Sequence, residues 1–178
     1  MKIRSFKEWA DIYKSETNDN LNLLPGFRVY YLPNRGFAAM KVDFEAKMLI
    51  IDQLSGDARF WRDMAEVCMA QANNLDVIAT TCTRNIMPYM RLFGATLLDS
   101  EEISISYKDG CGKKLYRYLF QDEIGRAVMC SPRCINKNGE VEYWVTQYLK
   151  VKARPTIKEF LESQAGEKNV ENQNNTTL

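Results

Sequence analysis

The sequence predicts an α+β domain on a mixed sheet, mostly antiparallel with one parallel strand pair, extended by a C-terminal β-hairpin and short helix. Three observations carry this. Three extended segments follow one another across short turns early in the chain. A strand, a glycine turn, a helix and a second strand occupy residues 47–82, which requires a crossover and two parallel strands. From Ala95 onward the apolar residues recur at every second position.

The elements follow in order. Ser5 caps a helix with Glu8 three positions on, and Phe6, Trp9, Ile12 and Tyr13 mark its buried face. Thr17-Asn-Asp-Asn20 ends that pattern, and Leu24-Pro-Gly26 makes a turn. The extended segments are Phe27 to Leu32, Gly36 to Phe44 and Lys47 to Leu54, the last apolar on both faces as a central strand should be. After Ser55-Gly-Asp-Ala58 comes a helix with Phe60, Met64, Val67 and Cys68 at helical spacing, widened by Trp61 and Ala65, and stopped at Asn73-Asn74.

Leu75 to Thr81 reads as a buried strand, and Asn85 to Phe93 as a short helix closed by Gly94 at its C′ position. Glu102 to Tyr107 and Lys114 to Phe120 alternate about the turn Lys108 to Gly112. Arg126 to Ile135 and Glu140 to Lys150 form a hairpin across Asn136-Lys-Asn-Gly139. Its strand edges, read as exposed over Arg126 to Lys150, would suit a homodimer or a phage-virion partner. Pro155-Thr156 starts a short helix with Ile157, Phe160 and Leu161 inward, and the polar stretch 165–178 is expected to be disordered. The expected organisation is therefore a core over 1–121, a hairpin and helix over 122–164, and a tail over 165–178.

Composition removes several functions. The 178 residues are 46% hydrophobic and 26% charged, enough for an ordinary core. No apolar run approaches the ~18 residues that span a bilayer, and the charged start, Met1-Lys-Ile-Arg, lacks a signal peptide's apolar stretch. A cytoplasmic protein is expected. There is no histidine, which excludes Ser-His-Asp and Cys-His catalysis in their ordinary forms. The five cysteines, Cys68, Cys82, Cys111, Cys130 and Cys134, lack zinc-site spacing and are expected as reduced thiols. Residues 110–155 hold nine Lys and Arg against four Asp and Glu, in a chain of net charge +1. That basic region interleaves with Tyr116, Tyr118 and Phe120 on one strand and Trp144, Thr146 and Tyr148 on another. No RNP, zinc-finger or helix-turn-helix signature accompanies it, so nucleic acid is not the expected partner.

The chemistry centres on the turn Gln53-Leu-Ser-Gly56-Asp-Ala58. Glycine there permits positive φ, so backbone N–H groups can converge at the helix start and hold a phosphate, with Arg59 and Arg62 offsetting Asp57. The bland alternative is a corner at Gly56 and a cap at Ser55.

Gln53-x-x-Gly56-x-Ala58 resembles the Gln/Arg-x-x-Gly-x-Gly/Ala loop of the GNAT superfamily of acyl-CoA N-acyltransferases, and it lies between the expected strand and main helix. Arg84-Asn85-Ile-Met-Pro-Tyr89-Met-Arg-Leu-Phe-Gly94-Ala95 is similar to that family's later segment, above all in small GNAT-like proteins of phages and prophages. The resemblance covers roughly residues 1–121. It implies a GNAT-like fold whose parallel strands splay around acetyl-CoA (or CoA). Backbone near Ile50 and Ile51 would meet the pantetheine, and Gln53, Leu54, Ser55, Gly56, Asp57, Ala58 and Arg59 the pyrophosphate, with Asn85 a further contact.

The implied reaction is direct attack of an amine, from a small molecule or a protein, on the thioester. Asp52, Glu102 or Asp43 would be the base and Tyr89 the acid. Met90 occupies the place four residues before Gly94, where the family keeps its acid tyrosine. The competing expectation is therefore a catalytically silent GNAT-like phage protein, acting as a virion or host-interaction component.

Overall fold

In a computed structural model of the chain, residues 2–82, 85–103, 114–135 and 139–174 are described. The class is α+β. The chain divides into two compact units, one of Met1–Cys82 with Val145–Leu149, the other of Thr83–Trp144 with Lys150–Leu178.

The first unit opens with α1, Phe6–Thr17. Its capping box is closed: the Ser5 N–H donates to Glu8 Oε2 at 2.7 Å and the Glu8 N–H to Ser5 Oγ at 3.3 Å. Asn18, in the left-handed region at φ 56°, ends the helix by donating its N–H to the Lys14 carbonyl. Trp9 and Tyr13 are buried against Phe37, and the Trp9 indole N–H donates to the Pro33 carbonyl at 3.1 Å.

The three extended segments form an antiparallel meander of β1 (Arg28–Leu32), β2 (Gly36–Asp43) and β3 (Met48–Gly56). β4 (Val77–Cys82) runs parallel to β3. The order in this unit is β1-β2-β3-β4, with Val145–Leu149 of a later strand beside β4.

Between β3 and β4 the helix departs from the expected phase. Helix α2 covers Ala58–Met64 and passes into a π-helical segment over Ala65–Gln71. The buried positions are Trp61, Ala65 and Ala70, followed by Leu75, while Val67 and Cys68 are exposed. The cause is the winding. In a π segment hydrogen bonds span five residues instead of four, and the interval between buried positions grows from four to five. The Leu75 N–H donates to the Ala70 carbonyl at 2.9 Å, continuing the wider interval. This stripe packs on Ala38, Met40, Leu49, Ile51 and Ile78 of the sheet.

In the second unit α3 (Ile86–Leu92) ends as expected at Gly94. The Gly94 N–H donates to the Arg91 carbonyl and the Ala95 N–H to that of Met90, a Schellman closure. The strands are β5 (Thr96–Ile103), β6 (Leu115–Gln121), β7 (Arg126–Ile135) and the outer parts of β8 (Val141–Lys152), in the order β8-β7-β6-β5. β7 thus lies between β8 and β6. β7 pairs on both sides within its unit and Val145–Leu149 lies beside β4 in the first unit, which corrects the expectation that Arg126 to Lys150 offers open edges. The expected strand residues 104–107, the turn 108–112 with Cys111, and the turn residues 136–138 lie outside the described residues.

Asp122 closes the β6–β7 turn, accepting the Ile124 and Arg126 N–H groups and pairing with the Arg126 guanidinium at 2.6 Å. α4 covers Ile157–Asn174 and so runs past Gln164 into the polar stretch expected to be disordered. Ile157 and Phe160 are fully buried, and Asp99 accepts the Ile157 N–H at 2.8 Å. No helix among the described residues is long and apolar enough to cross a membrane.

Candidate functional site

The β3–α2 junction in the first unit gathers most of the residues singled out by the sequence. β3 reaches it through an irregularity. Ala39 pairs with Gln53 and Met40 with Ile51, so Asp52 is one residue more than β2 can match. Such a bulge turns two consecutive side chains towards one face. Ile51 and Leu54 pack in the core beneath α2, whereas Gln53 is buried on the α1 face. Asp52 lies on that same side, close enough for its charge to reach Tyr13.

The Gln53 side-chain carbonyl accepts the Asn22 N–H at 3.3 Å, and Gln53 also hydrogen-bonds the Tyr13 hydroxyl. Burial pushes the Tyr13 phenol up, and the charges of Asp19 and Asp52 add to this, against hydrogen bonds with Thr17 and Gln53.

The β3–β4 ladder runs from Met48 opposite Val77 to Ile51 opposite Thr80. Among the described residues it goes no further. β3 continues from Asp52 to Gly56, still laddered to β2 as far as Gly36 opposite Gly56. Ile50 is half-buried, between Lys41 and Ala79 in the ladders, and Ile51 is buried. The Ser55 hydroxyl is buried with no hydrogen-bond partner.

At the turn, Gly56 has φ 104°, and a Cβ there would come within 2.3 Å of the Arg35 carbonyl oxygen. That oxygen accepts both the Asp57 N–H at 2.9 Å and the Trp61 indole N–H at 3.0 Å. The Asp57 carboxylate accepts the Phe60 N–H at 3.1 Å and pairs with the Arg35 guanidinium at 2.5 Å. The Phe60 N–H, ahead of Arg35, holds the Asp57 carboxyl below its usual value, outweighing the opposite effect of burial. The cap is therefore Asp57 rather than Ser55. Ala58 and Arg59 open α2, Ala58 half-buried and Arg59 exposed.

The remaining candidates belong to the second unit, apart from Asp43, which accepts the Ala46 N–H in the β2–β3 turn. Asn85 caps α3 through the Met87 N–H. Tyr89 is half-buried and edge-on to Phe93 at 4.8 Å, and Met90 is buried in the core. Glu102 is exposed on β5 and pairs with Lys114 at 3.3 Å. The Tyr118 ring meets Tyr143 at 6.0 Å, so the aromatic row of β6 continues onto that residue of β8. Cys68, Cys82, Cys130 and Cys134 form no disulfide among the described residues. Burial pushes the Cys134 thiol up, with Glu142 adding to it.

Sequence reasoning missed Arg35 and Tyr13. Nothing local to Arg35 marks it, because its partners lie more than twenty positions away, and Tyr13 reads as one more core position of α1. No protein-family model matches the chain, and no curated protein or solved structure matches it.

Proposed function

We propose that the chain is an acyl-CoA-dependent N-acetyltransferase of GNAT type, passing an acetyl group from acetyl-CoA to a primary amine by direct attack. The observation that supports this most is the end of the β3–β4 ladder at Ile51 and Thr80, with β3 continuing for five residues beside β2. A strand edge without its neighbouring ladder suits a ligand carrying amides of its own, as a pantetheine arm does. The sequence Gln53-x-x-Gly56-x-Ala58 ends that same stretch.

In this reading the amine nitrogen attacks the thioester carbon, the carbon–sulfur bond breaks, and coenzyme A leaves as its thiol or thiolate. Asp52, set on the α1 face by the bulge, takes the amine proton. Holding both reactants side by side supplies much of the acceleration, since proximity is worth roughly 7–11 kcal/mol.

A second reading, a GNAT-like protein that binds without catalysing, is favoured by the buried Met90 and by Tyr89 lying against Phe93. The experiment is calorimetry with acetyl-CoA, followed by turnover across an amine panel, on the wild type and Thr81→Trp. Thr81 follows the last laddered residue of β4, so the bulky ring crowds one face of the sheet where the β3–β4 ladder ends. Saturable binding lost in the variant, together with turnover in the wild type, supports the enzyme. Binding without turnover supports the silent protein. No saturable binding at millimolar cofactor defeats both.

A further inference from the structure

We propose that the α1 face of β3 holds a binding site for a small aliphatic ammonium that carries no carboxylate of its own. Asp19 and Asp52 stand at its mouth, and Tyr13, Gln53 and Ser55 form its floor. The fate of that amine as acyl acceptor rests on the acetyltransferase reading above, whereas its binding does not.

Strand geometry gathers these groups. Gln53 opposite Ala39 and Ser55 opposite Phe37 are alternate positions of β3 and share a face. Phe37 identifies that face, because its ring meets the Tyr13 ring at 5.8 Å beneath α1. The bulge sets Asp52 on the same side. The segment after α1 closes on the group: the Asn22 N–H donates to Gln53 Oε1 at 3.3 Å, and Gln53 hydrogen-bonds the Tyr13 hydroxyl.

Exposure falls from the mouth inward. Asp19 is exposed and Asp52 half-buried, whereas Tyr13, Gln53 and Ser55 are 8%, 7% and 2% exposed. Polar groups buried so deeply ordinarily have partners. The Ser55 hydroxyl has none, so the floor keeps one hydrogen-bonding group in reserve. Alanine would fill that place without the cost of an unpaired hydroxyl, and serine suits a ligand that brings a donor.

Charge decides the kind of ligand. The charges that act on the Tyr13 hydroxyl are the Asp19 and Asp52 carboxylates. Lys41 shares the face, opposite Ile50, but its chain lies along the Gly26 turn. Two carboxylates above an oxygen-lined floor favour a cation and repel an anion, and water screens a half-buried charge less than an exposed one. An ammonium brings three N–H donors and no acceptor, which matches carboxylate, phenol and hydroxyl oxygens. A second ammonium on the ligand gains from the second carboxylate, while a carboxylate on the ligand is repelled. Asp52 directly follows Ile51, the last laddered residue of β3, so the bound nitrogen lies where that ladder ends.

The test is calorimetry of diaminobutane, butylamine and aminobutyrate, chains of similar length that differ in charge. Each is titrated, with and without coenzyme A, into the full chain as wild type, Asp19→Asn, Ser55→Ala and Tyr13→Phe, and circular dichroism checks each fold. Diaminobutane should bind roughly tenfold or more tightly than aminobutyrate, with butylamine between them. Asp19→Asn should narrow that preference. Ser55→Ala and Tyr13→Phe should each weaken diaminobutane several-fold and leave acetyl-CoA affinity unchanged. Aminobutyrate bound as well as diaminobutane, or wild-type affinity for diaminobutane in both Ser55→Ala and Tyr13→Phe, overturns the site alone. If Tyr13→Phe does not fold, unchanged affinity in Ser55→Ala overturns it equally. No amine bound by the wild type under either condition overturns it too. Selective diaminobutane binding without any acetyl-CoA binding overturns the transferase reading and leaves the amine site standing.

Discussion

Gly36 and Gly56 face each other at the end of the β2–β3 ladder with φ of 96° and 104°, and neither leaves room for a Cβ. A Cβ on Gly36 would lie 1.9 Å from the Ser55 carbonyl oxygen, and one on Gly56 2.3 Å from that of Arg35. The two backbones touch where a ladder would ordinarily carry side chains. Gly56 thus has a structural role whatever the turn binds.

Gly56→Ala should therefore destabilise the protein by about 2–4 kcal/mol, combining the positive-φ penalty with displacement of a carbonyl that holds two donors. Urea unfolding measures this. A loss below ~1 kcal/mol would mean the two backbones separate readily.

Asp122 and Arg126 form an ion pair whose side chains are 6% and 11% exposed. Burial raises the Asp122 carboxyl, but the Arg126 guanidinium and the N–H groups of Arg126 and Ile124 outweigh it, and the net direction is down from 3.8. A depressed folded value means the unfolded chain takes up the proton first. The stabilisation is complete above about pH 4 and is lost as pH falls through the folded value. Asp122→Ala should cost about 3–5 kcal/mol by removing the carboxylate paired with the buried guanidinium. Asp122→Asn should flatten the acid limb of the stability profile, and an unaltered acid limb would contradict this.

Tyr13 gives the opposite dependence. Its phenol is raised above 10.0, chiefly by burial. Above the unfolded value the native state holds a proton that the unfolded chain has released, so stability falls as pH rises through that window. Tyr13→Phe should remove this alkaline loss, which denaturant titrations between pH 9 and 11 measure. Parallel profiles for the two proteins would count against it.

If Asp52 accepts the amine proton, Asp52→Asn should reduce kcat/KM by about 10²–10⁴-fold while cofactor affinity stays within a small factor. Steady-state kinetics beside calorimetry separates the two quantities. Retained turnover would remove Asp52 from the reaction.

Much of the local structure was legible along the chain. Ser5 and Glu8 specify the start of α1, and Gly94 the end of α3, because caps involve residues three to five positions apart. The β1–β3 meander and the strand–turn–helix at Gly56 could be read from alternation and glycine placement. The candidate loop was legible as a motif, but its geometry was not. Arg35, the Gly36 contact and the Asp52 bulge all come from the pairing of β2 with β3.

The sequence by itself determined the start of α1, the end of α3 and the β1–β3 meander, since those choices rest on φ preferences, caps and hydrogen bonds between near neighbours. Only the tertiary structure decided the π winding that exposes Val67 and Cys68, the place of β7 between β8 and β6, and which carboxylate meets which arginine. Those outcomes depend on long-range packing and strand register. Their energies come from partners that no local window of sequence contains.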